Sequence, residues 1–219
     1  MPDNILCIET ATTNCSIALI IDGNVAGLKE LNDLNYSHSE KLHVLIYDLL
    51  IEQGVDLNEL DAIAISKGPG SYTGLRIGVS AAKGLCFSLE KPLISVPTLT
   101  SLAYQVTDPG NIVAMLDARR MEVYSAVFNS QKQQIEKTEA KILDPFSYND
   151  LLNAGVVNFI GSGVTKFREI CNHPNAVFID GKLPSAREMA GLASEKFKKA
   201  AFEDVAYFEP YYLKDFMAG

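Results

Sequence analysis

Ile112-Val113-Ala114-Met115-Leu116-Asp117-Ala118 repeats the apolar pattern of Ile5-Leu6-Cys7-Ile8-Glu9-Thr10-Ala11, with Ile112 standing 107 positions after Ile5. Each copy is a short apolar run of the length of a buried strand, closed by an acidic residue. The surroundings repeat as well. After the first copy, 16–21 and 25–28 flank Asp22-Gly23-Asn24, a turn suited to positive φ, so they predict a hairpin. Ser37-x-x-Glu40 reads as a capping box. Leu42, Leu45, Ile46, Leu49 and Leu50 then recur at helical spacing, and Gly54 reads as the stop. A strand at 61–65, a helix over about 74–89, a strand at 93–96 and a short helix from Pro97-Thr98 complete the set. After the second copy come strands at 121–129 and 134–143, a helix near 146–153 and a strand at 156–160. A helix after Gly161-Ser162-Gly163, a strand at 176–179 and a helix over about 184–200 follow.

Two copies of β-β-β-α-β-α-β-α predict an α/β chain with a duplicated ribonuclease-H-like fold, the actin, Hsp70 and sugar-kinase (ASKHA) class. The expected lobes are 1–106 and a more divergent 107–219. The aromatic tail Glu209-Pro210-Tyr211-Tyr212-Leu213 is expected to pack back on a lobe.

Lys and Arg number 19 against 27 Asp and Glu, a net charge of −8 that repels phosphate backbones on average. Broad nucleic-acid coverage by this chain alone is therefore not expected. The dense basic spots, Arg119-Arg120 and 196–199, read as solvated faces. Cys7, Cys15, Cys86 and Cys171 are scattered, which predicts buried thiols in a reducing compartment. No basic-then-apolar leader and no apolar run of about 18 residues is present, so the expectation is a soluble cytoplasmic protein.

The densest motif is Ser66-Lys67-Gly68-Pro69-Gly70-Ser71-Tyr72-Thr73-Gly74-Leu75-Arg76-Ile77-Gly78. Its glycines permit backbone angles that other residues avoid, and Ser71 and Thr73 can cap the helix that follows. Such a turn offers N–H donors and a positive dipole end to an anion. It lacks the Gly-Lys-Ser/Thr of a Walker loop and the G-x-G-x-x-G order. A purely structural turn and an anion site built from Thr10, Gly68, Gly70, Ser71, Thr73 and Asp117 both remain open. The helix behind it carries the small residues Gly78, Ser80, Ala81, Ala82 and Gly84, which suit either the chain's own sheet or a partner helix. His38 and His43 lie five apart, about 140° around a helix, so they do not share a face as metal ligands would. Glu9 and Asp117 end the first strand of each repeat, where carboxylates of an actin-like fold border a nucleotide cleft. Equally, they can simply begin tight turns. No Ser-His-Asp or Cys-His constellation can be assembled.

Together, 8–12, His38-Ser39-Glu40, the 66–78 segment, Asp117-Ala118-Arg119-Arg120-x-Glu122-Val123-Tyr124 and Pro210-x-Tyr212-Leu213 resemble the bacterial TsaB (YeaZ) family over nearly the whole chain. The resemblance implies a non-catalytic scaffold in the synthesis of threonylcarbamoyladenosine beside the anticodon of tRNAs reading ANN codons. It implies pairing with a TsaD-like transferase subunit through the first-lobe helices, carried here by His38, Leu42, Leu45, Leu49, Ile77, Ala81 and Leu85. A TsaE-like ATPase assists in that system, tRNA is met indirectly through the complex, and a homodimer can form when the chain is alone. No metal and no resident cofactor are implied, with ATP or ADP admitted only at the complex interface. The alternatives are a small actin-like ATPase or kinase using Glu9, Asp117 and the 68–74 turn, and, ranked last, a protease acting on the partner.

Overall fold

A computed structural model describes residues 3–33 and 38–214, so Ser37, the expected start of the capping box, lies outside the described residues. The first sheet contains β1 (Asn4–Glu9), β2 (Asn14–Ile21), β3 (Asn24–Asn32), β4 (Ala62–Ser66) and β5 (Leu93–Val96), in the order β3-β2-β1-β4-β5. The second contains β6 (Asn111–Asp117), β7 (Glu122–Phe128), β8 (Gln134–Ile142), β9 (Val157–Ile160) and β10 (Ala176–Ile179), in the order β10-β9-β6-β7-β8. Read from its other end, the second order repeats the first. β1 is antiparallel to β2 and parallel to β4; β6 is antiparallel to β7 and parallel to β9. The repeat seen in sequence is thus a repeat of topology.

Local chemistry explains the joints. Asp22 and Gly23 have φ of 52° and 78°, the left-handed pair that a two-residue hairpin demands. α1 (His38–Gln53) stops at Gly54, whose φ of 65° lets the Val55 N–H donate to the Leu50 carbonyl at 3.0 Å. α2 (Tyr72–Leu89) starts two residues earlier than its apolar spacing predicts, because Ser71 is the cap. α3 (Thr98–Ala103), α4 (Asn149–Ala154) and α5 (Val164–Arg168) are short. The helix expected over 184–200 is a 3₁₀ turn, Ala186–Glu188, followed by α6 (Met189–Lys198).

Side chains alternate across the first sheet, as a pleat requires. Leu6, Ile8, Ile17, Leu19, Ile63 and Ile65 pack beneath α1 and α2. Ile5, Cys7, Ala18, Ile20, Ala62 and Ala64 point the opposite way and are covered by Ala186, Met189, Ala190 and Ala193. The expected boundary at 106/107 needs correction for this reason. The first unit takes the described residues up to Ser101 and also Pro184–Tyr212; the second takes Leu102–Leu183 with Leu213 and Lys214. Without α6, one whole apolar face of the first sheet would meet water, so 184–212 folds with the first unit although it follows the second in sequence. The second unit has its own core of Val113, Met115, Val157, Phe159, Phe167 and Tyr148, with Phe159 and Phe167 ring centroids 4.9 Å apart.

The tail does pack back, on the first unit. The Glu203 N–H donates to the Leu93 carbonyl at 2.8 Å, covering edge strand β5. Lys83 Nζ donates to the carbonyls of Ala206 and Phe208 at 3.1 and 3.0 Å. The Tyr212 ring lies 4.9 Å from that of Tyr72, over which Arg76 is placed at 4.1 Å.

Candidate partner-binding surface

The turn between β4 and α2 is built around the exit of β1. The Thr10 hydroxyl donates to the Gly74 carbonyl at 2.8 Å, and the Ser71 N–H donates to the Ala11 carbonyl at 2.7 Å. A Cβ on Gly70 would lie 2.5 Å from the Ala11 carbonyl oxygen, and one on Gly74 would lie 2.1 Å from that of Thr10. A Cβ on Gly78 would lie 2.2 Å from Thr10 Oγ1. Gly70 and Gly74 therefore admit the chain's own backbone, and Gly78 admits the Thr10 side chain. Gly68, joined to Pro69 by a cis peptide, has φ 105°; its N–H donates to Thr98 Oγ1 at 3.0 Å, and the Tyr211 carbonyl covers its open side. Ser71 Oγ accepts from the Gly74 N–H at 3.3 Å and so caps α2, whereas Thr73 is exposed and is not the cap. Of the residues gathered as an anion loop, Thr10, Gly68, Gly70 and Ser71 are engaged with the first unit itself. Thr10→Val keeps the shape but removes the buried donor to Gly74. It should lower stability by about 1–2 kcal/mol, read as a reduced urea midpoint at unchanged slope.

Both terminal carboxylates are engaged within their own units. Glu9 is fully buried. Its Oε1 accepts from the Ala11 N–H at 2.6 Å and the Ser66 hydroxyl at 2.7 Å, while Oε2 has no hydrogen-bond partner among the described residues. Burial pushes its pKa up to about 7 against the lowering effect of those hydrogen bonds. Asp117 belongs to the second unit. Its Oδ1 accepts from the Arg119 N–H at 2.6 Å and pairs with Lys166 Nζ at 3.0 Å, the tight-turn reading of an aspartate.

The first-lobe helices divide their residues between two faces. Leu42 and Leu49, expected at a partner interface, are each 1% exposed and belong to the core under α1. That placement corrects their expected role: the helix must bury them on its own sheet, at about 1.5–3 kcal/mol each. His38 is also buried, its Nε2 2.7 Å from the Thr12 carbonyl, whereas His43 is exposed, so the two histidines share no site. Leu45, Ile77 and Leu85 are half-buried against the core, and Ala81 is almost covered. Between the helices runs an open groove of about 550 Å³ lined by Ser39, His43, Ile77, Ser80, Ala81 and Leu85, among others.

Sequence reading missed what lies outside the core stripe. Val44, Tyr47 and Ile51 are 51%, 64% and 60% exposed, at the i, i+3, i+7 spacing that puts them on one outer side of α1. On α2, the small residues separate. Gly78 and Ala82 face inward, while Ser80 and Gly84 are exposed, and Phe87, 83% exposed, follows them at i+7 from Ser80. A helix that is apolar on both sides is the pattern of a buried helix. That signal was present in sequence as Val44, Tyr47 and Ile51 added to five core positions.

Two 3-2-1-4-5 sheets in one chain define the duplicated ribonuclease-H-like class, and here the first of them carries a pair of helices with an apolar outer surface. The family model for TsaD, tRNA N6-adenosine threonylcarbamoyltransferase, matches residues 33–218. The tRNA threonylcarbamoyladenosine biosynthesis protein TsaB of Escherichia coli (strain K12) is 33% identical over 98% of this chain and 96% of its own length. TsaB of Haemophilus influenzae is 30% identical over 96% and 93%. A solved structure from Pseudomonas aeruginosa, described as an uncharacterized protein with similarity to peptidase YeaZ, superposes with a TM-score of 0.84 at 28% identity. It covers 97% of this chain and 100% of its own. The chain belongs to the TsaB (YeaZ) family.

Proposed function

We propose that this chain is the non-catalytic subunit that pairs with a TsaD-like transferase in forming threonylcarbamoyladenosine next to the anticodon of tRNAs reading ANN codons. The observation that carries the reading is the apolar outer stripe Val44-Tyr47-Ile51 beside the α1–α2 groove, an unusual expense of exposed surface on a helix whose other side already fills a core. The naming of the relatives supports the pathway. The inward burial of Glu9 and the pairing of Asp117 with Lys166 favour a scaffold over an actin-like ATPase or kinase. In this reading the same faces support a homodimer when the partner is absent. A nucleotide and a TsaE-like ATPase meet the assembly at its interface, tRNA is engaged by the assembled complex, and the chain works in the cytoplasm. Depleting the chain and analysing the nucleosides of bulk tRNA tests the reading. Threonylcarbamoyladenosine should fall and return on re-expression; an unchanged nucleoside level rejects it.

A further inference from the structure

The turn between β6 and β7 holds Arg119 and Arg120 at φ of 70° and 49°, two consecutive non-glycine residues in left-handed backbone. Side chains disfavour that conformation, and it persists only where the surroundings over-determine it. Here they do. Lys166, its side chain 13% exposed, sends its ammonium to the Arg120 carbonyl at 2.5 Å, the Glu122 carbonyl at 3.1 Å and Asp117 Oδ1 at 3.0 Å. An ammonium has three donors, and all three serve this turn. The Ala118 N–H donates to the Glu122 carbonyl at 3.0 Å, and the Glu122 N–H donates back to that of Arg119 at 3.1 Å. The two acidic neighbours are neutralised separately, Asp117 by Lys166 and Glu122 by Lys214. Arg119 and Arg120 are exposed and form no ion pair among the described residues, in a chain whose net charge is −8.

A turn that only connected two strands would have no need of two adjacent guanidiniums, and Asn or Gly would relieve the backbone. We propose that this rigid arginine turn contacts the phosphodiester backbone of the RNA on which the assembly acts. Guanidinium forks match phosphate oxygens two at a time, and fixing their backbone in advance lowers the ordering cost of binding. Two phosphate contacts are a local footprint, compatible with a chain that repels nucleic acid on average. The inference rests on the proposed role in tRNA modification, and it concerns the second unit rather than the α1–α2 surface.

The test measures binding of a fluorescently labelled tRNA transcript with an ANN-reading anticodon to the assembled complex across a salt series. Arg119→Ala/Arg120→Ala should weaken binding about tenfold or more at low salt, and should reduce the slope of log affinity against log salt by about 2. Arg119→Gly/Arg120→Gly should weaken RNA binding equally while raising Tm by about 2–4 °C, a rise that a merely structural role for the arginines would not give. Unchanged affinity and slope in an assembly that still modifies tRNA overturn the inference and leave the proposed function standing. Loss of pairing with the transferase in place of RNA affinity also overturns it, assigning the arginines to an acidic protein face. Free inorganic phosphate or ATP competing fully at millimolar concentration would overturn it in favour of a small-anion site.

Discussion

Gly74→Ala is expected to destabilise the protein by about 3 kcal/mol, a large share of the roughly 5–15 kcal/mol by which a folded protein is usually stable. The added methyl group would stand 2.1 Å from the Thr10 carbonyl oxygen, and the obstacle is backbone of a buried strand exit, which has no rotamer to yield. Relief would require lifting the first turn of α2 off β1, breaking the Thr10–Gly74 and Ser71–Ala11 hydrogen bonds together. Gly84→Ala makes the opposite case in the same helix. Nothing lies within 4 Å of a Cβ built there, and the position is exposed, so the change should stabilise by about 0.5–1 kcal/mol through helix propensity alone. Paired urea denaturation curves of the two variants separate them; equal effects would mean that the close approach of β1 to α2 is not what fixes the glycine.

Glu9→Gln carries the second large effect, and its sign depends on pH. In the folded protein the Glu9 carboxyl titrates near 7 instead of 4.5, because burial penalises its charged form. A carboxyl raised in this way binds its proton more tightly when folded. Its stabilisation is fully present below pH 4.5 and is lost as pH rises through about 7, a swing of about 3 kcal/mol. Glutamine keeps an acceptor for the Ala11 N–H and the Ser66 hydroxyl but does not titrate. Wild type should therefore lose stability relative to Glu9→Gln between pH 5 and 8, so that the variant is the more stable protein at pH 8. Parallel unfolding curves across that window would show that Glu9 is not held near neutrality by the fold.

The two-fold repeat was legible because both copies of the first strand are buried on each face, so neither has polar positions to blur its apolar run. The hairpin at Asp22-Gly23 and the stop at Gly54 were legible because positive φ has few sequence solutions. What local pattern could not convey was destination. Met189, Ala190 and Ala193 announce an apolar helix face but not which of two similar sheets it covers, and the answer moves 184–212 into the first unit. The glycines of 66–78 announce a close approach but not by what; at Gly70, Gly74 and Gly78 it is the exit of β1, about sixty residues upstream. The partner surface was half legible. The small residues of α2 signalled a close neighbour without separating Gly78 and Ala82, which meet the chain itself, from Ser80 and Gly84, which do not. Leu42 and Leu49 followed helical spacing to the core, and the outward stripe of Val44, Tyr47 and Ile51 was left as the surface that the structure cannot account for internally.

The most direct test mixes the purified chain with its TsaD-like transferase and measures affinity by calorimetry for wild type, Tyr47→Arg and Ser80→Arg. Both positions are exposed, so the variants should fold with stability within about 0.5 kcal/mol of wild type, unlike an arginine at the nearly buried Ala81. A charge buried without a partner at the centre of an interface is costly, so each should weaken pairing about 100-fold or more. Wild-type affinity in both variants would contradict the assignment of the outer faces of α1 and α2 as the partner-binding surface.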